Sequence, residues 1–150
     1  MPYIIDGHNL IGHLRSGALS DPDDERMLLE RLAPLANRLR RRMIVFFDRG
    51  IPAPGRKALR YGQVEARFIP LPAKADDAIL AYLREKKDSR NYIVVTSDSE
   101  VGTRARRCGA RVVAAGEFLR EIQSVSDRTR KEKPPEDPEE VDEWLRLFGG

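Results

Sequence analysis

Short runs of almost wholly apolar residues alternate with amphipathic stretches along most of this 150-residue chain. Strands that are apolar on both faces are typical of parallel sheets covered by helices on each side. The alternation therefore predicts an α/β fold, a three-layer sandwich with a central, mainly parallel sheet. Five strands are predicted, at Tyr3 to Ile5, Met43 to Phe47, Val64 to Ile69, Tyr92 to Thr96 and Arg111 to Val113.

Helical spacing of apolar residues occupies the stretches between these strands. A first helix is predicted from about Glu25 to Arg41, with a kink or split at Pro34. A second is predicted from about Asp76 to Lys87, and shorter helices are predicted near residues 99 and 116. Residues 49–62 contain two prolines and three glycines, a composition that predicts a long surface loop.

The composition changes near residue 127, where charged residues and prolines become frequent. Residues 1–126 are therefore predicted to form the folded domain, and residues 127–150 a charged, proline-containing linker with a C-terminal amphipathic helix. The apolar residues of that helix recur at helical spacing, and docking on the domain is preferred over a partner-binding role. They are Val141, Trp144, Leu145 and Phe148.

The composition also limits the class of protein. The single cysteine, Cys108, excludes an internal disulfide and a cysteine-rich metal framework. No apolar run is long enough to span a membrane, and the N-terminus lacks a signal-peptide pattern. We therefore expect a cytoplasmic protein without a membrane partner.

Charge is distributed unevenly along the chain. Residues 134–150 hold six acidic residues against one arginine, so this tail carries −5, the rest of the chain +8 and the whole chain +3. Arginines cluster in residues 38–42, 56–60 and 104–111. The planar guanidinium suits phosphate, so a polyanionic partner is one interpretation, and a solvated surface is an equally good one.

Aspartates follow three of the predicted strands. Asp6 directly follows the first strand, Asp48 directly follows the second, and Asp98 comes shortly after the fourth. In the stretch AKADDAIL, Asp76 and Asp77 open a helix. Because ligands of parallel sheets bind beyond the carboxyl ends of the strands, we expect these side chains at one edge of the sheet.

Each aspartate has an alternative explanation as a helix cap or helix-dipole partner, and singly that explanation is the better one. Converging carboxylates, however, repel each other, and a divalent cation removes the repulsion. Hard oxygen ligands suit Mg²⁺ or Mn²⁺. The set therefore predicts a magnesium or manganese site made by Asp6, Asp48, Asp76 and Asp98.

Helix geometry distinguishes the two adjacent aspartates, because Asp76 borders the apolar stripe and Asp77 points to the opposite side. Asp77 is therefore predicted on the solvent side. In the opening motif, Gly7 is expected to permit a tight turn, and Asn9 to brace the carboxylates or hold a water or phosphate. His8 shows no zinc or triad spacing, which favours a hydrogen-bonded or exposed turn histidine.

Four motifs together resemble the YacP-like branch of the NYN domains, in the PIN-like nuclease superfamily. They are IIDGHNLI, VFFDRG, KADDAI and VVTSDSEV, in the order that the family shows them, and they cover most of the chain from Tyr3 to about Phe118. The resemblance implies a PIN-like fold and a catalytic set of Asp6, Asp76, Asp98 and Asn9. Asp48 matches the family's acidic position after the second strand.

The resemblance also implies a function, since the family is similar to metal-dependent endoribonucleases and some members associate with ribosomes. The expected activity is hydrolysis of RNA with Mg²⁺ or Mn²⁺, and ribosome-bound mRNA is a candidate substrate. Arginines flanking the cleft are expected to bind neighbouring phosphates without reading sequence. They are Arg49, Arg104, Arg106 and Arg107.

Two other functions remain open from the sequence. The first alternative is a noncatalytic RNA- or ribosome-binding module with a vestigial acidic pocket. A metal-dependent phosphatase acting on small molecules is a weaker one. The chain contains no Walker or dinucleotide-type glycine loop, and Ser97 lacks the glycines of a nucleophile elbow.

Overall fold

A computed structural model provides the structure of the protein. It describes residues 1–14, 22–48, 58–70 and 72–132, with side chains except at residues 22–24, 58 and 125–132. The described strands are β1 (Tyr3–Asp6), β2 (Met43–Asp48), β3 (Ala58–Tyr61), β4 (Val64–Ile69), β5 (Ile93–Val95) and β6 (Arg111–Val113). They form one six-stranded sheet in the order β3-β4-β2-β1-β5-β6.

Helices cover both faces of this sheet. The described helices are α1 (Gly7–Leu14), α2 (Pro22–Leu39), α3 (Ala75–Glu85), α4 (Ser99–Arg107) and α5 (Ala115–Glu132), with a 3₁₀ turn at Ser89–Asn91. Residues of α1, α2 and α5 pack on one face, and residues of α3 and α4 pack on the other. The predicted three-layer α/β sandwich with a mainly parallel sheet is confirmed.

Alternation along each strand divides the core between the two faces. Ile5 of β1 belongs to the cluster under α1, α2 and α5, whereas its neighbour Ile4 belongs to the cluster under α3 and α4. Both side chains are fully buried. A strand buried on both faces needs apolar residues at every position, which is why these strands read as continuous apolar runs.

The parallel register brings the carboxyl ends of the central strands to one edge of the sheet. β1 pairs in parallel with both β2 and β5, with Tyr3 opposite Met43 on one side and Ile93 on the other. The polar residues that follow β1, β2 and β5 therefore leave the sheet side by side. This edge is where the motif aspartates were expected.

The long loop predicted for residues 49–62 is wrong at its end. Residues Ala58–Tyr61 form β3, which pairs antiparallel with β4 at the border of the sheet. Gly62, at φ +58°, lies in the turn between the two strands, a conformation that glycine adopts without steric cost. Leu59 and Tyr61 pack against the core, so their alternation was a strand signal that the nearby prolines and glycines obscured.

Two expectations about the helices need correction. α2 runs unbroken through Pro34, so the predicted split does not occur. α5 continues to Glu132, so residues 127–132 are helical although their composition predicted a linker. The predicted C-terminal helix lies outside the described residues.

Gly7 is needed for a reason other than the predicted tight turn. It is buried at the first position of α1, and a Cβ there would lie 2.3 Å from Cε1 of Phe47. The aromatic ring of β2 therefore packs directly on the backbone that leaves β1. This close approach lets α1 begin immediately after Asp6.

Within the described residues, no helix is both long and apolar enough to cross a membrane.

Candidate functional site at the carboxyl edge of the sheet

Asp6 ends β1 and is the most perturbed carboxyl group of this edge. Its pKa is raised to about 6, chiefly by burial and to a smaller extent by the nearby negative charge of Asp48. A hydrogen bond from the backbone of Asn9, the charge of His8 and a hydrogen bond from Thr96 all lower it. Asp6 and Asp48 therefore lie close enough to repel each other, as predicted for neighbouring strand ends.

Thr96 connects Asp6 to the loop that carries Asp98. Its side chain is 2% exposed. Its Oγ1 donates to Oδ2 of Asp6 over 3.4 Å and accepts from the backbone N–H of Asp98 over 3.1 Å. One buried hydroxyl thus holds together two motifs that are 90 residues apart in the chain.

Asn9 joins the same two loops from the other side. Its Oδ1 accepts from the backbone N–H of Ser97 over 2.8 Å. The hydroxyl of Ser97 in turn accepts from the backbone N–H of Ala115, the first residue of α5, over 3.0 Å. Asn9 was expected either to brace the site or to hold a water or phosphate, and this contact favours the bracing role.

Asp48 ends β2 and tethers the start of α3. Its Oδ1 accepts from the backbone N–H of Ala75 over 2.5 Å. α3 has no capping side chain at its own N-cap residue, Lys74, so Asp48 satisfies one of the N–H groups that a helix start leaves unpaired. Asp76, the next residue of α3, is thereby brought to the same edge of the sheet.

Asp76 and Asp77 differ in exposure as helix geometry predicts. Asp76 is partly buried and Asp77 is exposed. Oδ1 of Asp76 accepts from the backbone N–H of Asp77 over 3.0 Å. This contact joins adjacent residues and uses only one of the two oxygens of the Asp76 carboxylate.

Asp98 is the N-cap of α4, the role that the simpler explanation assigned to it. Its Oδ1 accepts from the N–H groups of Glu100 and Val101 over 2.9 and 3.2 Å. In Asp48, Asp76 and Asp98 alike, Oδ1 is occupied, and Oδ2 accepts no hydrogen bond from the described residues. Capping therefore leaves one oxygen of each carboxylate available to a ligand.

His8 is hydrogen-bonded, as expected, but it lies in a helix and next to the carboxylates. Its Nε2 lies 3.0 Å from Oε1 of Glu25 on α2, and its ring packs on Phe47. The bond to Glu25 raises the pKa of His8, burial opposes this, and the charges of Asp48 and Asp6 raise it further. Sequence spacing did not reveal Glu25, because contact with it depends on how α2 packs on α1.

The carboxylates at this edge are chemically suited to a hard divalent cation, since Mg²⁺ and Mn²⁺ prefer oxygen ligands of this kind. The carboxylates lie farther apart than the predicted metal site requires. Among the described residues, no group of three or more His, Cys, Asp or Glu side chains is close enough to hold a metal ion. The predicted ligands share an edge of the sheet without forming a closed cage.

The arginines expected to bind RNA lie at the far end of α4. Arg104, Arg106 and Arg107 occupy its last turn, and the latter two are exposed. Because α4 begins next to Asp98 and its nine residues span about 13 Å, these cations lie roughly one helix length from the aspartates. Arg49 lies outside the described residues.

Thr96 is the residue that the sequence interpretation missed. The stretch IVVTSD offered one signal, a polar residue at the end of a fully buried strand. A buried hydroxyl needs hydrogen-bond partners, and the carboxyl edge of the sheet is where they lie. The register between β1 and β5 was required to show that Asp6 is one of them.

Comparison with known proteins supports the fold and identifies the family. Two crystal structures of Rae1 (YacP) from Bacillus subtilis, one of a point mutant, each superimpose with a TM-score of 0.67 and 23% sequence identity. The alignments cover 99% of this chain and 92% of the other, a likeness in fold. No curated protein matches the sequence. The family described as the YacP-like NYN domain matches residues 3–145, and this chain belongs to that family.

Proposed function

We propose that this protein is a metal-dependent endoribonuclease that hydrolyses phosphodiester bonds of RNA at the carboxyl edge of its sheet. The observation that carries the proposal is the way the motif carboxylates are held. Asp48, Asp76 and Asp98 each accept a hydrogen bond through Oδ1, and Oδ2 accepts none from the described residues. Asp6 lies beside Asp48 and its pKa is raised, a shift that a bound cation would reverse.

In this proposal Asp6, Asp48, Asp76 and Asp98 hold Mg²⁺ or Mn²⁺, and Asn9 keeps the loops of β1 and β5 at a constant separation. When bound, the ion supplies a more acidic water and neutralises charge that develops on the phosphate. The water oxygen bonds to phosphorus while the bond from phosphorus to the leaving ribose oxygen breaks. The products are a phosphate monoester and a hydroxyl end.

The arginines of α4 are assigned a role in holding RNA. Arg104, Arg106 and Arg107 lie on the same side of the sheet as α3, and they would contact phosphates about 13 Å from the carboxylates. Phosphate contacts position a strand without reading its sequence. Ribosome-bound mRNA in the cytoplasm is the proposed natural substrate, on the basis of the family resemblance.

A noncatalytic RNA-binding module is the second candidate, and one observation favours it. The described carboxylates are not close enough to one another to form a metal cage. If that spacing persists in solution, the arginines would bind RNA and no bond would break. The nuclease proposal instead requires Asp76 and Asp98 to approach Asp6 when the cation neutralises their repulsion.

Incubation of the protein with labelled RNA separates these candidates. The nuclease proposal predicts cleavage in Mg²⁺ or Mn²⁺ that stops on addition of EDTA and returns with excess metal. Binding without cleavage under all these conditions would establish the noncatalytic alternative. Cleavage that persists in EDTA would refute metal dependence.

Calorimetric titration with Mn²⁺ tests the ligand assignment directly. We expect Asp76→Asn to weaken Mn²⁺ binding at least several-fold and to leave the fold intact, because it removes one of the charges that attract the cation. Asp77→Asn is the matched control, since it removes the same charge from the adjacent exposed residue. Equal affinities for both variants would exclude Asp76 from the site.

A further inference from the structure

A concave region lies at the opposite edge of the sheet, away from the carboxylates. It is a cavity of about 450 Å³ that is bordered by the first residues of β1, β5 and β6, namely Tyr3, Ile93 and Arg111. α5 forms another wall with Phe118 and Ile122, which are almost completely buried. The cavity is thus largely apolar in its depth, and the proposed hydrolysis does not use it.

Positive charge predominates at the cavity. Arg41 and Arg111 both line it, whereas Glu121 is the acidic residue among the described lining. Nη1 of Arg41 donates to Oη of Tyr3 over 3.1 Å, and its guanidinium lies over the same ring. Arg111 is exposed and forms no ion pair within the described part of the chain. The cavity therefore combines an apolar interior with an arginine, Arg111, that forms no ion pair with the described residues.

The C-terminal residues have the complementary pattern. At 100° per residue, Val141, Trp144 and Leu145 fall on one stripe of a helix. Glu140 and Asp142 fall about 100° to either side of Val141 and so flank that stripe. A helix of this kind would present apolar side chains to a cavity and carboxylates to arginines at its border.

The chain is long enough to bring this segment back to the cavity. Ser124 lines the cavity, and α5 ends eight residues later at Glu132, about 12 Å further along the helix. Residues 133–140 can then span up to about 26 Å when extended. The connection therefore exceeds the distance that it must cover.

We propose that residues 139–150 dock as a helix on the cavity between α5 and the amino-terminal ends of β1, β5 and β6. Trp144 and its apolar neighbours fill the cavity, and the flanking carboxylates face Arg41 and Arg111. The inference does not depend on nuclease activity, because no residue of this contact belongs to that site.

Trp144 provides the test because it is the only tryptophan in the chain. In the full-length protein, docking predicts that acrylamide quenches its fluorescence several-fold less than in urea-unfolded protein. To locate the indole, a nitroxide is attached at Ser124→Cys in a Cys108→Ser background, with a label at Thr103→Cys on α4 as the control. Both labelled positions are exposed, so the labels need not disturb the core.

The proposal predicts strong quenching of Trp144 by the label at position 124 and weak quenching by the label at position 103. Equal quenching from both labels, or acrylamide quenching as strong as in the unfolded protein, would overturn it. Quenching of unlabelled protein when it is mixed with a labelled Trp144→Phe variant would mean that a second copy supplies the segment, and would also overturn it.

Charge reversal at the cavity gives an independent measurement. We expect Arg111→Glu to increase acrylamide quenching of Trp144 several-fold, since it replaces attraction to the acidic segment by repulsion. Arg107→Glu makes the same charge change at an exposed position of α4, which packs on the opposite face of the sheet from α5, and is expected to leave quenching unchanged. Identical effects of the two variants would reduce the contact to a general response to net charge and refute the assigned position.

Discussion

At the scale of single residues, Asp6 combines a structural cost with a proposed function. It is held where burial and the charge of Asp48 both oppose its ionisation. Selection for stability alone would favour a neutral residue at such a position, because a like-charged neighbour destabilises the ionised form. A cation that neutralises both carboxylates gives a physical reason for their proximity.

The raised pKa of Asp6 predicts how the stability of metal-free protein depends on pH. Its pKa is about 6 in the fold against 3.8 ordinarily, so the contribution of Asp6 is most favourable below pH 4. Stability should then decrease as pH rises through 6, by up to about 3 kcal/mol from this group. Urea unfolding in EDTA at pH values between 4 and 7 measures this decrease.

Asp6→Asn should abolish most of that pH dependence and leave metal-free protein at least as stable as wild type at neutral pH. Asn has nearly the same shape but no charge to desolvate. Cleavage of RNA should decrease by orders of magnitude, while binding through the arginines persists. If the variant retains cleavage, the nuclease assignment as drawn is wrong. Asp77→Asn, on the exposed side of α3, is the control for a general charge effect.

Thr96 offers a pair of substitutions that isolates one hydroxyl. Thr96→Val keeps the shape but removes the bonds to Asp6 and to the N–H of Asp98, which we expect to cost about 1–3 kcal/mol of unfolding free energy. Mn²⁺ affinity should decrease as well, since Asp6 and Asp98 lose their common tether. Thr96→Ser keeps the hydroxyl and should preserve the affinity. A Val variant that binds Mn²⁺ like wild type would show that Thr96 has no positioning role.

At the scale of secondary-structure elements, the contact between α1 and β2 depends on the absence of a single side chain. The ring of Phe47 occupies the space that a Cβ of Gly7 would need. Gly7→Ala is therefore expected to destabilise the protein by about 1–3 kcal/mol through overpacking. Thermal or urea denaturation measures the change.

Gly116 provides the matched control for this substitution. It lies in α5, and a Cβ there would meet no atom within 4 Å. Gly116→Ala should therefore be neutral or stabilise the protein by up to about 1 kcal/mol, because alanine favours helix. Opposite signs for the two variants would confirm that space at Phe47, and not glycine as such, determines the effect. A neutral Gly7→Ala would mean that β2 can shift without cost.

At the scale of the whole molecule, charge is separated along the chain and across the fold. Residues 1–133 carry +8, and the last 17 residues carry −5. The proposed metal site occupies one edge of the sheet, and the arginines of α4 lie toward the other edge. A polyanion that reaches from one edge to the other would meet both features.

This arrangement predicts that RNA affinity decreases steeply with salt, because each phosphate contact releases counterions. Replacing Arg104, Arg106 and Arg107 together by Gln should reduce the slope of log affinity against log KCl concentration by up to about 2. A triple replacement of Arg38, Arg40 and Arg120 removes the same charge from exposed positions of the other helical layer and should change the slope less. An RNA affinity that does not change between low and physiological KCl concentrations would contradict binding through phosphate contacts.

The sequence by itself determined the layers of this protein and the edge at which its polar motifs gather. Strands buried on both faces must be apolar throughout, and parallel strands deliver their next residues to one edge. Alternation of short apolar runs with helical stretches was therefore sufficient to predict the sandwich. The four motifs also identified the family to which the chain belongs.

Only the tertiary structure decided how each polar residue is held. The contacts of Thr96 with Asp6, of Asp48 with Ala75 and of His8 with Glu25 each join elements that are remote in sequence. They depend on register and helix packing, which local patterns do not encode. The same holds for Gly7, whose necessity arises from a ring 40 residues further along the chain, and for β3, which became a strand because β4 offered it an unpaired edge.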